Sequence, residues 1–442
     1  MKTIFPMQVG LPFQFSDKSV TPWGGMRLIQ EMLIRMRFRE ALEASGLPQP
    51  QSNRAYDPVV MMEAFIVCIW IGGVRFSHTS LVRFDEALRE LFGWKRVASV
   101  STYTRWFKRF KQKEVDEVFS SLGRWFWDQL SPRTITLDLD SSVVTRYGKQ
   151  EGAVQGYNRQ KFGKPSHRPL FAFAADWRMV LHAWLRPGNT NDTNGPKQFI
   201  DESLALLGTN HRVGLIRADA GFYDGGLMSN LESRLIPIHY IVSAKMTRPL
   251  RHRVAEQKQW LNVDPGIDVA EFEYQGFHWG KARRMVVVRH ELKKMPHALG
   301  RALIEVPGYK FSAFVTTLDL PPAEIWRLYN GRCDSENRIA ELKAEFGLNG
   351  FCLDSFYATE AAFRCAMLAY NLMSLFRQAL LQAPTAVRLS TMRSQCFALG
   401  AWIGRDGRKK VLRISLDARR RPWFEGLFAK IGAFRCPWPA PA

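Results

Sequence analysis

The sequence predicts an α/β protein with a helical N-terminal domain (residues 1–130) and a strand-and-helix core in two parts (131–245 and 320–382). A β-rich insertion (246–319) separates the two parts, and a helical, basic region (383–442) follows. Three observations predict this layout. Apolar residues ahead of Pro132 recur with helical spacing, whereas from Thr134 onward they alternate, the period of a strand. A run around 320–347 then returns to helix and carries an ordered row of polar side chains.

Asp57-Pro58 opens a helix in which Val59, Met62, Phe65, Ile66 and Ile69 share a face, and Gly72-Gly73 ends it. A second run spans Ser80–Phe92, and a third starts near Ser101-Thr102 and covers Tyr103–Val118. Helix, glycine-containing turn and a helix bearing Arg105, Lys108, Arg109 and Lys111 fit a helix-turn-helix, or equally a helical bundle with a basic outer face. Thr134–Asp140 sets Ile135, Leu137 and Leu139 against Thr136, Asp138 and Asp140. Leu170–Ala175 and Met179–Leu185 read as a hairpin, Pro196–Leu207 as an amphipathic helix, and Val213–Ala218 and Ile238–Ala244 as strands. In the insertion, Glu271–Phe277, Arg284–His290 and Lys310–Thr317 look like short strands, and Thr359–Leu381 is helical again.

Lys and Arg number 62 against 41 Asp and Glu, a formal charge of +21 spread from Arg35 to Arg435. Such a surface meets a polyanion, foremost nucleic acid. No run of 18 apolar residues offers a membrane span, and the stretch after Lys2 has no signal-peptide core. The cysteines 68, 333, 352, 365, 396 and 436 lack zinc-ligand spacing, which fits scattered thiols in a cytoplasmic protein.

Tyr329, Arg332, Glu336 and Lys343 have offsets of three, four and seven, so on a continuous helix they fall within roughly 60° of one another. Arg332 and Lys343 can neutralise phosphates, Tyr329 can donate a hydrogen bond and Glu336 can hold a cation. Glu341 points roughly 140° away and reads as exposed. Asp140 and Asp219 end two strands, where side chains from separate elements converge. Asp138 faces the same way as Asp140; Asp140 is favoured as nearer the strand mouth and followed by Ser141 and Ser142. Three carboxylates repel one another unless cations join them, and two Mg²⁺ ions, with Mn²⁺ able to substitute, would supply phosphodiester chemistry.

Those residues carry a family resemblance. Tyr-x2-Arg-x3-Glu-x6-Lys at 329–343, Leu137-Asp138-Leu139-Asp140-Ser141-Ser142 and Arg217-Ala218-Asp219-Ala220-Gly221-Phe222 resemble the three blocks of a bacterial insertion-sequence DDE transposase. Gln150-Glu151-Gly152 through Gly156-Tyr157-Asn158 is similar to the branch with a group 1 DDE domain. The resemblance implies an RNase H-like core with a β-insertion, and Asp140, Asp219 and Glu336 as catalytic metal ligands. It further implies phosphate contacts from Tyr329, Arg332 and Lys343, a homodimer synapsing two transposon ends, and excision followed by strand transfer in a bacterial, nucleoid-associated setting. Alternatives are a non-catalytic DNA-binding regulator or decayed transposase, or an RNase H-like nuclease that cuts without joining. Trp279, flanked by Arg283 and Arg284, is either a platform for an unpaired base or a residue packed between strands. Lys161, Lys164, His167 and Arg168, and Lys245, Arg248, Arg251 and Arg253, form basic loops; His182 and His239 read as core histidines.

Overall fold

The structure, a computed structural model, describes residues 11, 13–52, 54–158, 161–292, 308–381 and 387–439. The extreme N-terminal stretch, read above for a leader, and residues 293–307 of the insertion lie outside the described residues.

The first long helix, α1 (Pro58–Trp70), starts where Asp57 accepts a hydrogen bond from the Val59 N–H and Pro58 presets the first turn. The expected Tyr103–Val118 helix is two helices, α2 (Val100–Phe107) and α3 (Gln112–Trp127). Ser99 caps the first, and Glu114 accepts the Lys111 N–H to start the second. Ser80–Phe92 is likewise split, because Asp85 caps a new helix by accepting the Leu88 N–H.

Among the described residues the central sheet has nine strands. They are β1 (Thr134–Ser141), β2 (Leu170–Ala174), β3 (Met179–Trp184), β4 (Arg212–Ala218), β5 (His239–Ser243), β6 (Leu261–Asp264), β7 (Ile267–Tyr274), β8 (Arg283–Glu291) and β9 (Tyr309–Thr316). Their spatial order is β6-β7-β8-β9-β5-β4-β1-β2-β3. β1, β4 and β5 run parallel, and β2 and β3 extend the sheet antiparallel on one side. That five-strand arrangement is the RNase H-like core. On the other side β9 pairs antiparallel with β5, so the insertion lengthens the core sheet instead of forming a separate lobe.

Helix α4 (Pro196–Leu207) matches the sequence expectation and packs on β3. The expected single helix over 320–347 is broken. It consists of α5 (Pro322–Asn330), a 3₁₀ turn at Gly331–Cys333 and α6 (Asp334–Glu345). The break has a local cause: Arg217 Nη1 donates to the Leu328 carbonyl at 2.6 Å, and a Cβ on Gly331 would lie 2.7 Å from that same nitrogen. Three residues at about 120° instead of 100° add only about 60° of rotation, so the four polar residues still share a sector of roughly 60° although the helix is interrupted.

Helix α7 (Phe356–Leu381) is buried nearly all round. It joins sheet to N-terminal helices: Asn371 exchanges hydrogen bonds with Val180, and Trp70 donates to the Ala369 carbonyl. One hydrophobic cluster of the described residues runs from Met26 to Phe434 and draws on the N-terminal helices, the sheet and the C-terminal region alike. The C-terminal region includes a hairpin, Ala401–Asp406 with Lys409–Ile414, which pairs with Val20–Thr21. No helix among the described residues is long and apolar enough to cross a membrane.

Candidate active site

Parallel pairing brings the C-terminal ends of β1 and β4 together, with Leu139 opposite Ala218. Asp140 and Asp219 each follow those partners by one residue, so the fold sets the two carboxylates side by side. Asp140 is buried. Its Oδ1 accepts the Ser141 N–H at 2.8 Å and faces Arg332 Nη2 at 3.1 Å, while Oδ2 accepts the Ser335 hydroxyl at 2.9 Å. Asp219 Oδ1 accepts the Gly221 N–H at 2.9 Å. Burial pushes both carboxyls above their ordinary values; the Arg332 guanidinium pulls both back down. The charge of Asp219 adds to the rise at Asp140.

Asp138 is fully buried and ion-paired with Arg217, Nε to Oδ1 at 2.6 Å and Nη2 to Oδ2 at 2.8 Å. Both faces of β1 are covered, so the simple in/out alternation fails and Asp138 needs a fixed cation. Asp140, one step nearer the strand end, remains at the mouth.

A fourth carboxylate, Asp192, was missed from sequence. Its Oδ2 accepts the Ser141 hydroxyl at 3.1 Å and Arg168 Nη2 at 2.5 Å, and its Oδ1 accepts Arg186 Nη2 at 2.8 Å. It reaches the Asp219 carboxylate closely: a Cβ on Gly221 would lie 2.7 Å from Asp192 Oδ2 and 2.9 Å from Asp219 Oδ1. The available signal was the run Asn189-Thr190-Asn191-Asp192-Thr193-Asn194 directly after a strand, the kind of loop that carries function.

Glu336 is exposed on α6. Among the described residues no three Asp, Glu, His or Cys side chains stand close enough to hold one metal ion. The three acids therefore do not form a ready-made cage; Arg332, only 7% exposed, supplies the counter-charge that the carboxylate pair requires. Arg332 also donates to the Leu139 carbonyl, so in this arrangement it faces the carboxylates and is not presented to a phosphate. Tyr329 is half-buried against Phe314, ring centroids 4.3 Å apart. Lys343 Nζ donates one proton to the Val143 carbonyl at 2.9 Å; burial lowers its pKa and Asp140 raises it.

The remaining sequence candidates divide. Arg105, Lys108 and Arg109 are exposed on and just beyond α2, with Lys108 paired to Asp354 at 2.7 Å. Trp279 is 8% exposed, beneath Arg283 and beside Tyr223 and Tyr274. Gly225 and Gly276 admit it, since a Cβ at either would come within 2.7 Å of its ring. With its faces covered, Trp279 is a packing residue and not a stacking platform for a base. Glu341, expected to be exposed, is buried against Arg377 at 2.6 Å. His167 and Arg168 of the supposed basic loop are turned inward, whereas His239 is exposed.

Two acidic strand ends on an RNase H-like sheet define the class of site, a paired carboxylate centre. The chain matches the family described as transposase DDE domain group 1 over residues 8–436, and it belongs to that family. A piggyBac transposase synaptic complex with hairpin DNA, solved by electron cryomicroscopy, is similar at 12% identity with a TM-score of 0.46, covering 84% of this chain and 78% of that one. No curated protein matches the chain.

Proposed function

We propose that this protein is a DNA transposase that binds the terminal inverted repeats of its element as a homodimer and catalyses metal-dependent strand cleavage and strand transfer. The single observation that carries the reading is the placement of Asp140 and Asp219 together at adjacent parallel strand ends, within a chain that belongs to the DDE family. The net charge of +21 supports DNA as the partner.

The donor set fits hard divalent ions: carboxylate oxygens, with raised pKa values that a bound cation would relieve. Asp140 and Asp219 would hold Mg²⁺ or Mn²⁺, with Glu336 as the third acid. The metal supplies activation of an attacking oxygen and stabilisation of the leaving one. Ser335 orients Asp140 through its hydroxyl. Arg332 offsets the charge of Asp140 and yields its contact when a cation or phosphate arrives. Lys343 uses one of three ammonium protons on Val143, which leaves donors for a phosphate.

One observation favours a second reading, a regulator that binds ends without cutting: Arg332 already neutralises Asp140, and Glu336 stands exposed. Purified protein incubated with element ends and Mg²⁺ separates the two. Cleavage that disappears in Asp219→Ala and in Glu336→Ala, with end binding retained, supports the transposase; uncut ends with wild-type protein point to the regulator.

A further inference from the structure

The two flanks of α6 differ in their electrostatics. One lines a cavity of about 200 Å³ whose lining includes two carboxylates, Asp334 and Glu341, paired at 2.6 Å with Arg338 and Arg377. The other flank lines a wider cleft of about 640 Å³. Its charged lining residues are Arg75, Arg146, Lys161 and Lys343, and no carboxylate lines it among the described residues. Two of these cations are anchored: Arg146, buried in the cleft wall, donates from Nε to His167 Nδ1 at 3.1 Å and from Nη1 to the Asn349 carbonyl at 2.8 Å, and Lys343 Nζ donates to the Val143 carbonyl.

The cleft lies near the acidic centre: Val143, three residues beyond Asp140, lines it, as does Lys343. Its far wall comes from the turn after α1, and the near approach is permitted by Gly350, where a Cβ would lie 2.0 Å from the Val74 carbonyl oxygen. At the rim stands Tyr147, 72% exposed, with the Lys161 ammonium 4.8 Å from its ring centroid. A row of uncompensated cations beside an exposed aromatic ring is the arrangement that binds single-stranded nucleic acid: the cations follow phosphates and the ring stacks on a base.

We propose that this cleft holds one or two unpaired nucleotides of the DNA strand running on from the scissile phosphate, with the exposed Arg75 and Lys161 on its phosphates and Tyr147 against a base. The inference rests on the transposase reading and adds the substrate feature that reading lacks: a strand unpaired beside the cut. The strand can come from the transposon end or from its flank, and the polarity of the overhang distinguishes them.

The test uses the full chain and fluorescein-labelled 20-base-pair duplexes that are blunt or carry five unpaired thymidines at a 5′ or 3′ end; the duplex length is about two helical turns. Wild-type protein should bind one overhang polarity more tightly than the blunt duplex. Tyr147→Ala should lose that preference by roughly 5- to 150-fold, and Tyr147→Phe should retain it. Arg75→Gln with Lys161→Gln should flatten the log–log salt slope for the overhang probe by about 1.4 and leave the blunt probe's slope unchanged. An overhang preference that survives Tyr147→Ala and the charge variant overturns the proposal, as does wild-type protein that binds all three probes alike. The two readings fail separately: wild-type protein that cleaves element ends yet ignores overhangs refutes only the cleft, and one that prefers overhangs but never cleaves refutes only the enzyme.

Discussion

Replacing Arg217 by Ala tests whether Asp138 is structural and Asp140 is the acid of the site. The Arg217 guanidinium makes three hydrogen bonds of 2.6–2.8 Å, two to Asp138 and one to the Leu328 carbonyl. Asp138 is fully buried, and burial already pushes its carboxyl upward against the pull of Arg217. Removing one partner of such a buried pair costs about 3–5 kcal/mol, because the remaining charge is left uncompensated. Unfolding entropy scales at about 2.1 cal/mol/K per residue, so for 442 residues the expected loss in Tm is roughly 3–5 °C.

Calorimetry measures that loss directly, and a double variant sharpens it. Asp138→Leu with Arg217→Met removes both charges, so it should lie within about 2 kcal/mol of wild type, the remaining cost being the Leu328 carbonyl. The same change frees the turn at Gly331 that separates α5 from α6, so end cleavage by either Arg217 variant should fall although Arg217 touches no substrate. A Tm for Arg217→Ala within about 1 °C of wild type would refute the reasoning. So would an Asp138→Asn protein that folds normally and cannot cleave, since Asp138 would then be the functional acid.

Other outcomes follow from the same geometry. Asp140 has a raised pKa in the folded chain, so its ionisation costs stability as pH climbs from about 3.8 through the folded value. In EDTA, the Tm difference between Asp140→Asn and wild type should therefore move in the variant's favour over that rise, and a difference independent of pH would contradict it. Asp192 raises the pKa of Asp219, so Asp192→Asn should shift the acid limb of the cleavage–pH profile to lower pH; a shift upward would be the wrong sign. Trp279→Ala should cost about 3–5 kcal/mol in a chemical-denaturation curve, as a core truncation does, with no selective loss of binding to unpaired DNA; normal stability with lost binding would restore it as a base platform.

What sequence revealed and what it concealed have a common physical origin. Strands whose neighbours in sequence determine their environment were legible: alternation found β1, and the hairpin of β2 and β3 followed from its Asp176-Trp177-Arg178 turn. Long-range pairing was not. The run from Tyr329 to Lys343 was read as one continuous helix because its spacing is helical, and it is Arg217, more than a hundred residues away, that takes the Leu328 carbonyl and fills the space beside Gly331 where the helix is interrupted. Glu341 was read as exposed because it lies off that row, yet Arg377 from α7 buries it. Asp192 was not singled out, because its partner Arg168 lies on the far side of β2 and β3 and meets it only in the folded sheet. In each case an arginine distant from its acidic or carbonyl partner decides the local geometry. With 62 cations and 41 anions, sequence alone leaves too many candidate pairings to choose among. The same excess leaves the cleft beside Lys343 without acids to neutralise it, which is why its cations remain available to a strand of DNA.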